Sequence, residues 1–278
     1  MRILVTNDDG ITARGLWALV RELRRIAEVI VVAPDRDQSG IGTAVTLHHP
    51  VRVSPVPPEV TRVEAYAVEG TPADTVILAL KTLLKNGVDM VFSGINEGSN
   101  MGNDVLISGT VSAALQGYFY GLPSVAISVA AIKRVRFDVA AKFGALIAQQ
   151  VAASNMPQKF LLNINLPNLP LDKITGIELT RLGERSYMDN IKAGHDGKRK
   201  YYWIVRGKPD WKEVEGTDIW ALGQKKISIS PLHSDLSSEI HLKQLGKAFS
   251  ALFQDLRKSD KVKRTRTRQT VAELTQKG

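Results

Sequence analysis

The chain has 278 residues, 44% hydrophobic and 23% charged, a balance that supports a large α/β domain with additions and excludes a disordered chain. It has no cysteine, which excludes disulfides, thiolate catalysis and cysteine-based zinc sites, so any metal centre must use oxygen or imidazole ligands. Of the net charge of +9, the stretch from Arg257 to Gly278 carries eight basic residues against two acidic ones, which leaves the rest of the chain close to neutral.

Strand and helix patterns alternate from the start. Arg2 to Val5 is an apolar run that reads as a buried strand, and it follows a charged start with no signal-peptide pattern. No apolar run is long enough to span a bilayer, so the expectation is a cytoplasmic enzyme without a membrane partner. Leu16, Leu19, Val20 and Leu23 share one face of a helix, and Val29 to Asp35 is a second apolar run ending in an acid, which completes a βαβ unit. After the polar stretch Arg36 to Gly42, the alternation from Val45 to Val56 predicts an antiparallel excursion.

The helical period returns at Val76, Leu80, Leu83 and Leu84 and stops at Asn86-Gly87. Asp89 to Ser93 is a third buried strand, and a Gly/Asn/Asp-rich loop is expected from Gly94 to Gly109. A helix from Thr110 to Tyr120, a strand from Ser124 to Val129, a helix from Phe137 to Ala153 and a strand from Lys159 to Leu166 follow. This order predicts a Rossmann-like, mostly parallel sheet with helices on both faces. From Ile174 to Val205, β-type runs at Gly176 to Leu182 and Tyr201 to Val205 flank a polar loop and suggest a smaller β-rich extension. Ile227 to Leu232 reads as a strand, and Leu242, Leu245, Phe249, Leu252 and Leu256 mark a helix near the C-terminus.

Three loops at predicted strand ends are rich in small oxygen-bearing side chains: Asn7-Asp8-Asp9-Gly10, Asp35 to Gly40, and Ser93 to Gly98. In open α/β sheets ligands collect outside the carboxyl ends of strands, where this fold would gather all three loops. Paired Asp oxygens suit Mg²⁺ or Mn²⁺, although Asn-Asp-Asp-Gly is equally a good turn. Ser108-Gly109-Thr110 precedes a helix, whose free N–H groups offer a phosphate cradle or whose start these residues simply cap. His48, His49, His195, His233 and His241 are scattered and read as solvated or packed. Gly40-Ile41-Gly42 lacks the spacing of a dinucleotide loop.

These motifs, with Gly70-Thr71-Pro72-Ala73-Asp74 and the run from Ser93 through Asp104 into Ser108-Gly109-Thr110-Val111, resemble the SurE family of survival-protein nucleotidases. Gly216-Thr217-Asp218 and Ile227 to Leu232 extend the resemblance to about residue 256. Ile107 stands where the family usually has an aromatic residue, and Gln116 where it usually has Glu. The resemblance implies a phosphatase of nucleoside 5′- and 3′-monophosphates, with short-chain polyphosphate as a further substrate. It implies one divalent ion per subunit, Mg²⁺ or Mn²⁺, on Asp8, Asp9, Ser39 and Asn96, with Asp8 and Asp9 catalytic. Phosphate contacts are expected from Asn96, Ser108, Gly109 and Thr110.

The resemblance also implies a homodimer or homotetramer, with Pro231 to Leu256 reaching a neighbouring subunit. The resulting organisation is a phosphatase domain over residues 1–256, divided into a core (1–170) and a β-rich extension with a C-terminal arm (171–256). Residues 257–278 are expected to form a mobile basic tail open to weak nucleic-acid contact. A protein that acts through this tail by binding nucleic acid is the non-enzymatic alternative.

Overall fold

The computed structural model describes residues 1–211 and 213–237, together with His241, Leu245, Gly246, Phe249, Ser250, Leu252, Phe253 and Leu256. The chain divides into two units, Met1–His233 and Ser234–Gly278. The first carries the sheet. The predicted basic tail lies outside the described residues, as does most of the predicted C-terminal helix.

Strands β1 (Arg2–Thr6) and β2 (Glu28–Pro34) flank helix α1 (Arg14–Leu23). Short strands β3 (Val53–Pro55) and β4 (Glu64–Val68) lead into α2 (Pro72–Leu78), which runs on into a wider π-type turn at Ala79–Leu83. Next come β5 (Met90–Glu97), α3 (Gly109–Phe119), β6 (Ser124–Val129), α4 (Asp138–Ala152) and β7 (Leu161–Leu166). The last elements of this unit are β8 (Gly176–Leu179), β9 (Arg185–His195), β10 (Lys200–Trp211), α5 (Asp218–Gly223) and β11 (Lys226–Leu232).

Nine strands form one sheet in the order β3-β4-β2-β1-β5-β6-β7-β11-β8. The strands from β4 through β7 are parallel, while β3 and β11 run antiparallel to β4 and β7. From β1 the chain winds outward through β2 and then, after β4, returns to the other side of β1 as β5. The switch point of the sheet therefore lies between β1 and β5, the place where sheets of this kind bind ligands outside the carboxyl ends of their strands.

Alternation along β1 assigns its side chains to opposite layers. Ile3 and Val5 pack with Leu16, Leu19, Val20 and Leu23 of α1 and with Ala140, Ala141 and Ala148 of α4. Leu4 joins Val76 of α2 and Ala113 of α3 on the other face. The sheet is thus covered on both sides, as predicted. Each fully buried aliphatic side chain in this core contributes about 1.5–3 kcal/mol, and Leu19→Ala would cost about 2–5 kcal/mol. Gly15 lets α1 close on the sheet, since a Cβ there would run into the carbonyl oxygen of Ile95.

The structure corrects several boundaries. Only Val53–Pro55 of the predicted antiparallel stretch Val45–Val56 is a strand, because Thr46 is drawn to Asp74 by its N–H (3.0 Å) and its hydroxyl (2.6 Å) instead of pairing with a neighbour. Its partner β4, a five-residue strand, was not anticipated. The loop expected from Gly94 begins later, since β5 continues to Glu97. The expected polar loop between Leu182 and Tyr201 is largely strand, because β9 pairs antiparallel with β10 in a separate two-stranded ribbon. The β-type runs placed in an extension separate differently: β8 and β11 join the main sheet, and the ribbon stands apart from it.

Candidate active site

The end of β1 is shaped by Asn7. Its side-chain amide donates to the carbonyl of Gly10 at 2.9 Å, and Gly10, at φ +97°, reverses the chain so that Ile11 N–H reaches the Pro34 carbonyl. A tight turn is therefore present, and it sets Asp8 and Asp9 at the switch point. Because β2 and β5 flank β1, the loops following all three strands meet at this end. Gln38 N–H donates to the main-chain oxygen of Asp8 at 2.8 Å, and Glu97 N–H donates to Oδ2 of Asp9 at 3.3 Å. Those two bonds tie the second and third oxygen-rich loops to the first.

Asp8 is 4% exposed, and its Oδ1 accepts the Thr110 hydroxyl at 2.6 Å. Burial holds its carboxyl above the usual carboxylate range, and the Thr110 hydrogen bond opposes that rise. Asp9 is pushed up to about 7, first by burial and then by the neighbouring Asp8 charge. Among the described residues neither carboxylate has an ion-pair partner. An acidic pair that is buried at Asp8, half-buried at Asp9 and without a counter-charge is costly, and a bound cation would offset that cost.

The neutral candidates differ in their surroundings. Asn96 is buried, and its amide nitrogen donates to the Gly98 carbonyl at 2.8 Å, which leaves its amide oxygen as the available ligand atom. Ser39 is exposed, and its hydroxyl and N–H both reach Oδ1 of Asp37, at 2.6 and 2.7 Å. No group of three or more His, Cys, Asp or Glu side chains converges among the described residues. Two carboxylates with a hydroxyl and an amide oxygen fit a hard divalent ion that keeps water in its remaining positions.

Helix α3 starts against Asp8. Ser108 is its N-cap, with its hydroxyl accepting the Val111 N–H at 3.2 Å. Gly109 approaches so closely that a Cβ there would stand 2.8 Å from the Asp8 Cβ. Thr110 is fully buried, with its hydroxyl committed to Asp8. Capping and placement of Asp8 are therefore two observed uses of this tripeptide. Gly70 to Asp74 is structural: Thr71 and Asp74 form a capping box at α2, with bonds of 2.9 and 3.1 Å.

Sequence reasoning missed a buried polar cluster behind the site. Asn163 and Asn165 on β7 both donate to the main-chain oxygen of Asn100, at 2.8 and 2.9 Å, and Asn165 Oδ1 accepts the Asn100 N–H at 2.8 Å. Asp218, also missed as an anchor, accepts N–H bonds from Gly102, Gly183 and Ile219. The available signal was two asparagines at alternating positions inside the otherwise apolar strand Leu161–Leu166.

An open doubly wound sheet with an acidic pair at its switch point, closed by a helix start, defines a Rossmann-like α/β protein with an oxygen-rich site. The family model described as Survival protein SurE matches residues 3–189, and the chain belongs to that family. It is 48% identical over 238 residues to a protein named 5′-nucleotidase SurE from Dehalococcoides mccartyi (strain CBDB1), covering 85% of this chain and 90% of the relative. A protein of the same name from Moorella thermoacetica (strain ATCC 39073 / JCM 9320) is 46% identical over 254 residues, covering 91% and 98%. The crystal structure of a SurE protein from Aquifex aeolicus superposes with a TM-score of 0.75 at 36% identity, covering 91% of this chain and 99% of that one.

Proposed function

We propose that this protein is a divalent-metal-dependent 5′-nucleotidase that hydrolyses nucleoside monophosphates to nucleoside and inorganic phosphate. The observation that carries the reading is the uncompensated pair of buried Asp8 and half-buried Asp9 beside the start of α3, in a chain nearly half identical to proteins named 5′-nucleotidase SurE. Asp8, Asp9, Ser39 and Asn96 would hold one Mg²⁺ or Mn²⁺ ion. That ion would supply polarisation of the phosphoryl group and activation of the attacking water.

The protein's own groups prepare the site. Thr110 fixes one oxygen of Asp8 and leaves the other as a ligand. The positive end of the α3 dipole lies beside Asp8 and favours an anionic phosphate near Ser108 and Gly109. Asp9, with its raised proton affinity, holds a proton near neutral pH until a cation displaces it. Nucleoside 3′-monophosphates and short-chain polyphosphate are the secondary substrates of the same reading. Assembly as a homodimer or homotetramer is supported by the ribbon, where Ile191, Tyr202, Trp203 and Ile204 are exposed.

The test is phosphate release from a panel of nucleoside 5′- and 3′-monophosphates and polyphosphate, with Mg²⁺, with Mn²⁺ and with EDTA. Turnover of 5′-monophosphates that EDTA abolishes and added metal restores is expected. Turnover indifferent to EDTA and to exhaustive metal removal would overturn the metal assignment.

A further inference from the structure

Asn100 sits in the loop after β5 and is held by its main chain alone from one side. Asn165 accepts its N–H and donates to its carbonyl, and Asn163 donates to the same carbonyl. The side chain is thereby free to face the opposite way. Its Nδ2 donates to the Ser128 hydroxyl at 3.0 Å and lies 3.4 Å from the Thr110 hydroxyl. That hydroxyl in turn donates to Oδ1 of Asp8 at 2.6 Å. A continuous polar path runs from β7 to the acidic pair, inside the protein, where a hydrogen-bond chain is stronger than in water.

From this geometry we propose that Asn100 is a positioning residue for Asp8, acting through Thr110. The Asn100 amide has only donors to offer at Nδ2, so the Thr110 oxygen can only accept from it. The Thr110 hydrogen is then directed at Asp8 and not back toward the loop. This sets which oxygen of Asp8 is occupied and where the other lies. The clamp from Asn163 and Asn165 fixes the depth of Asn100, so the Asp8 orientation is referenced to a buried strand paired on both sides.

The inference rests on the metal reading above. Its test is Mn²⁺ binding measured by calorimetry and by electron paramagnetic resonance, alongside steady-state kinetics with a nucleoside 5′-monophosphate. Asn100→Ala keeps the main-chain clamp and removes only the side-chain donor. Loss of groups that orient metal ligands typically weakens metal binding by about ten- to hundredfold, and the long 3.4 Å contact places the expected loss near the lower end, at about tenfold. The value of kcat should fall with little change in KM.

A double-variant cycle separates positioning from general loosening. Thr110→Val removes the hydroxyl at nearly constant shape, and in that background Asn100→Ala should have almost no further effect. Additive losses would overturn the proposal, as would a folded Asn100→Ala protein that binds Mn²⁺ within about twofold of the parent, well short of that loss. Should Asn100→Ala fail to fold, Asn100→Asp keeps the shape and the main-chain bonds while replacing the donor by an acceptor, and the same criteria apply. A parent protein that binds no Mn²⁺ would instead bring down the metal reading, and this inference with it.

Discussion

A Cβ atom placed on Gly109 would stand 2.8 Å from the Cβ of Asp8 and 3.0 Å from its Oδ2, so the start of α3 and the acid at the end of β1 occupy adjoining space that admits only hydrogen. Any side chain at Gly109 must displace the helix, Asp8 or the nearby ring of Pro72. Overpacking of this kind costs about 1–3 kcal/mol, and in a chain of this size each kcal/mol lowers Tm by about 2–4 °C. Gly109→Ala is expected to fold with a reduced Tm and to lose at least about tenfold in kcat/KM for nucleoside 5′-monophosphates, because small misplacements at a reacting centre are costly. Unchanged turnover would show that the close approach of α3 has no bearing on catalysis.

Asp9→Asn should separate stability from activity. In the metal-free protein the Asp9 carboxyl is penalised by burial and by Asp8, so a neutral side chain of the same shape relieves both. The metal-free variant should therefore melt above the parent at pH 8. Its phosphate release should nevertheless fall by at least about a hundredfold, since a ligand charge has been removed. Calorimetry in EDTA and a turnover assay at saturating Mn²⁺ check the two halves. A variant that melts lower and turns over normally would contradict both.

The parts of this protein legible in its sequence are those where one periodicity governs one environment. The strands β1, β2, β6 and β7 are buried on both faces and read as short apolar runs, and α1 shows one apolar face. The β9–β10 ribbon escapes such reading because its described side chains, Ile191 and Tyr202 among them, are exposed, so cross-strand backbone pairing and not burial defines it. The gathering of the loops that carry Asp8, Asp9 and Asn96 was legible because they repeat one composition at successive strand ends. The contacts of Asn100, Asn165 and Asp218 were not legible, because they join segments 65 and 116 positions apart, and no local pattern records such a pairing.

Asp218 supplies a third test. It is fully buried and accepts N–H bonds of 2.8 Å from Gly102 and Gly183 and of 2.9 Å from Ile219. One carboxylate thus ties the loop beyond the candidate site to the segment that enters the ribbon. Asp218→Ala would leave three donors unsatisfied, each at about 1–3 kcal/mol, a substantial share of a domain's total stability. A large drop in Tm is expected, with a smaller drop for Asp218→Asn, which retains one acceptor oxygen. Amide exchange should quicken at both Gly102 and Gly183 in Asp218→Ala, and at one of them in Asp218→Asn, because the two amides bond different oxygens. Protection at those two amides equal to the parent's would show that the carboxylate does not hold the loop.

The pH dependence of stability should change direction with metal. Asp9 has an ordinary value of 3.8 and is held at about 7 in the folded, metal-free protein, and Asp8 is raised as well. Between those values the folded protein keeps a proton that the unfolded chain has released, so stability in EDTA must fall as pH rises through this window. A divalent ion binds the ionised carboxylates and competes with the proton, so its affinity should rise over the same range and level off above about 7. At saturating Mn²⁺ the metal-bound state gains stability in proportion to the logarithm of that affinity. Melting curves from pH 5 to pH 8 should therefore slope downward in EDTA, and flatten or slope upward with Mn²⁺. Binding at pH 6 should release protons, seen as a dependence of the calorimetric heat on buffer ionisation enthalpy. Parallel curves with and without the ion, and no proton release, would show that Asp8 and Asp9 do not carry the metal.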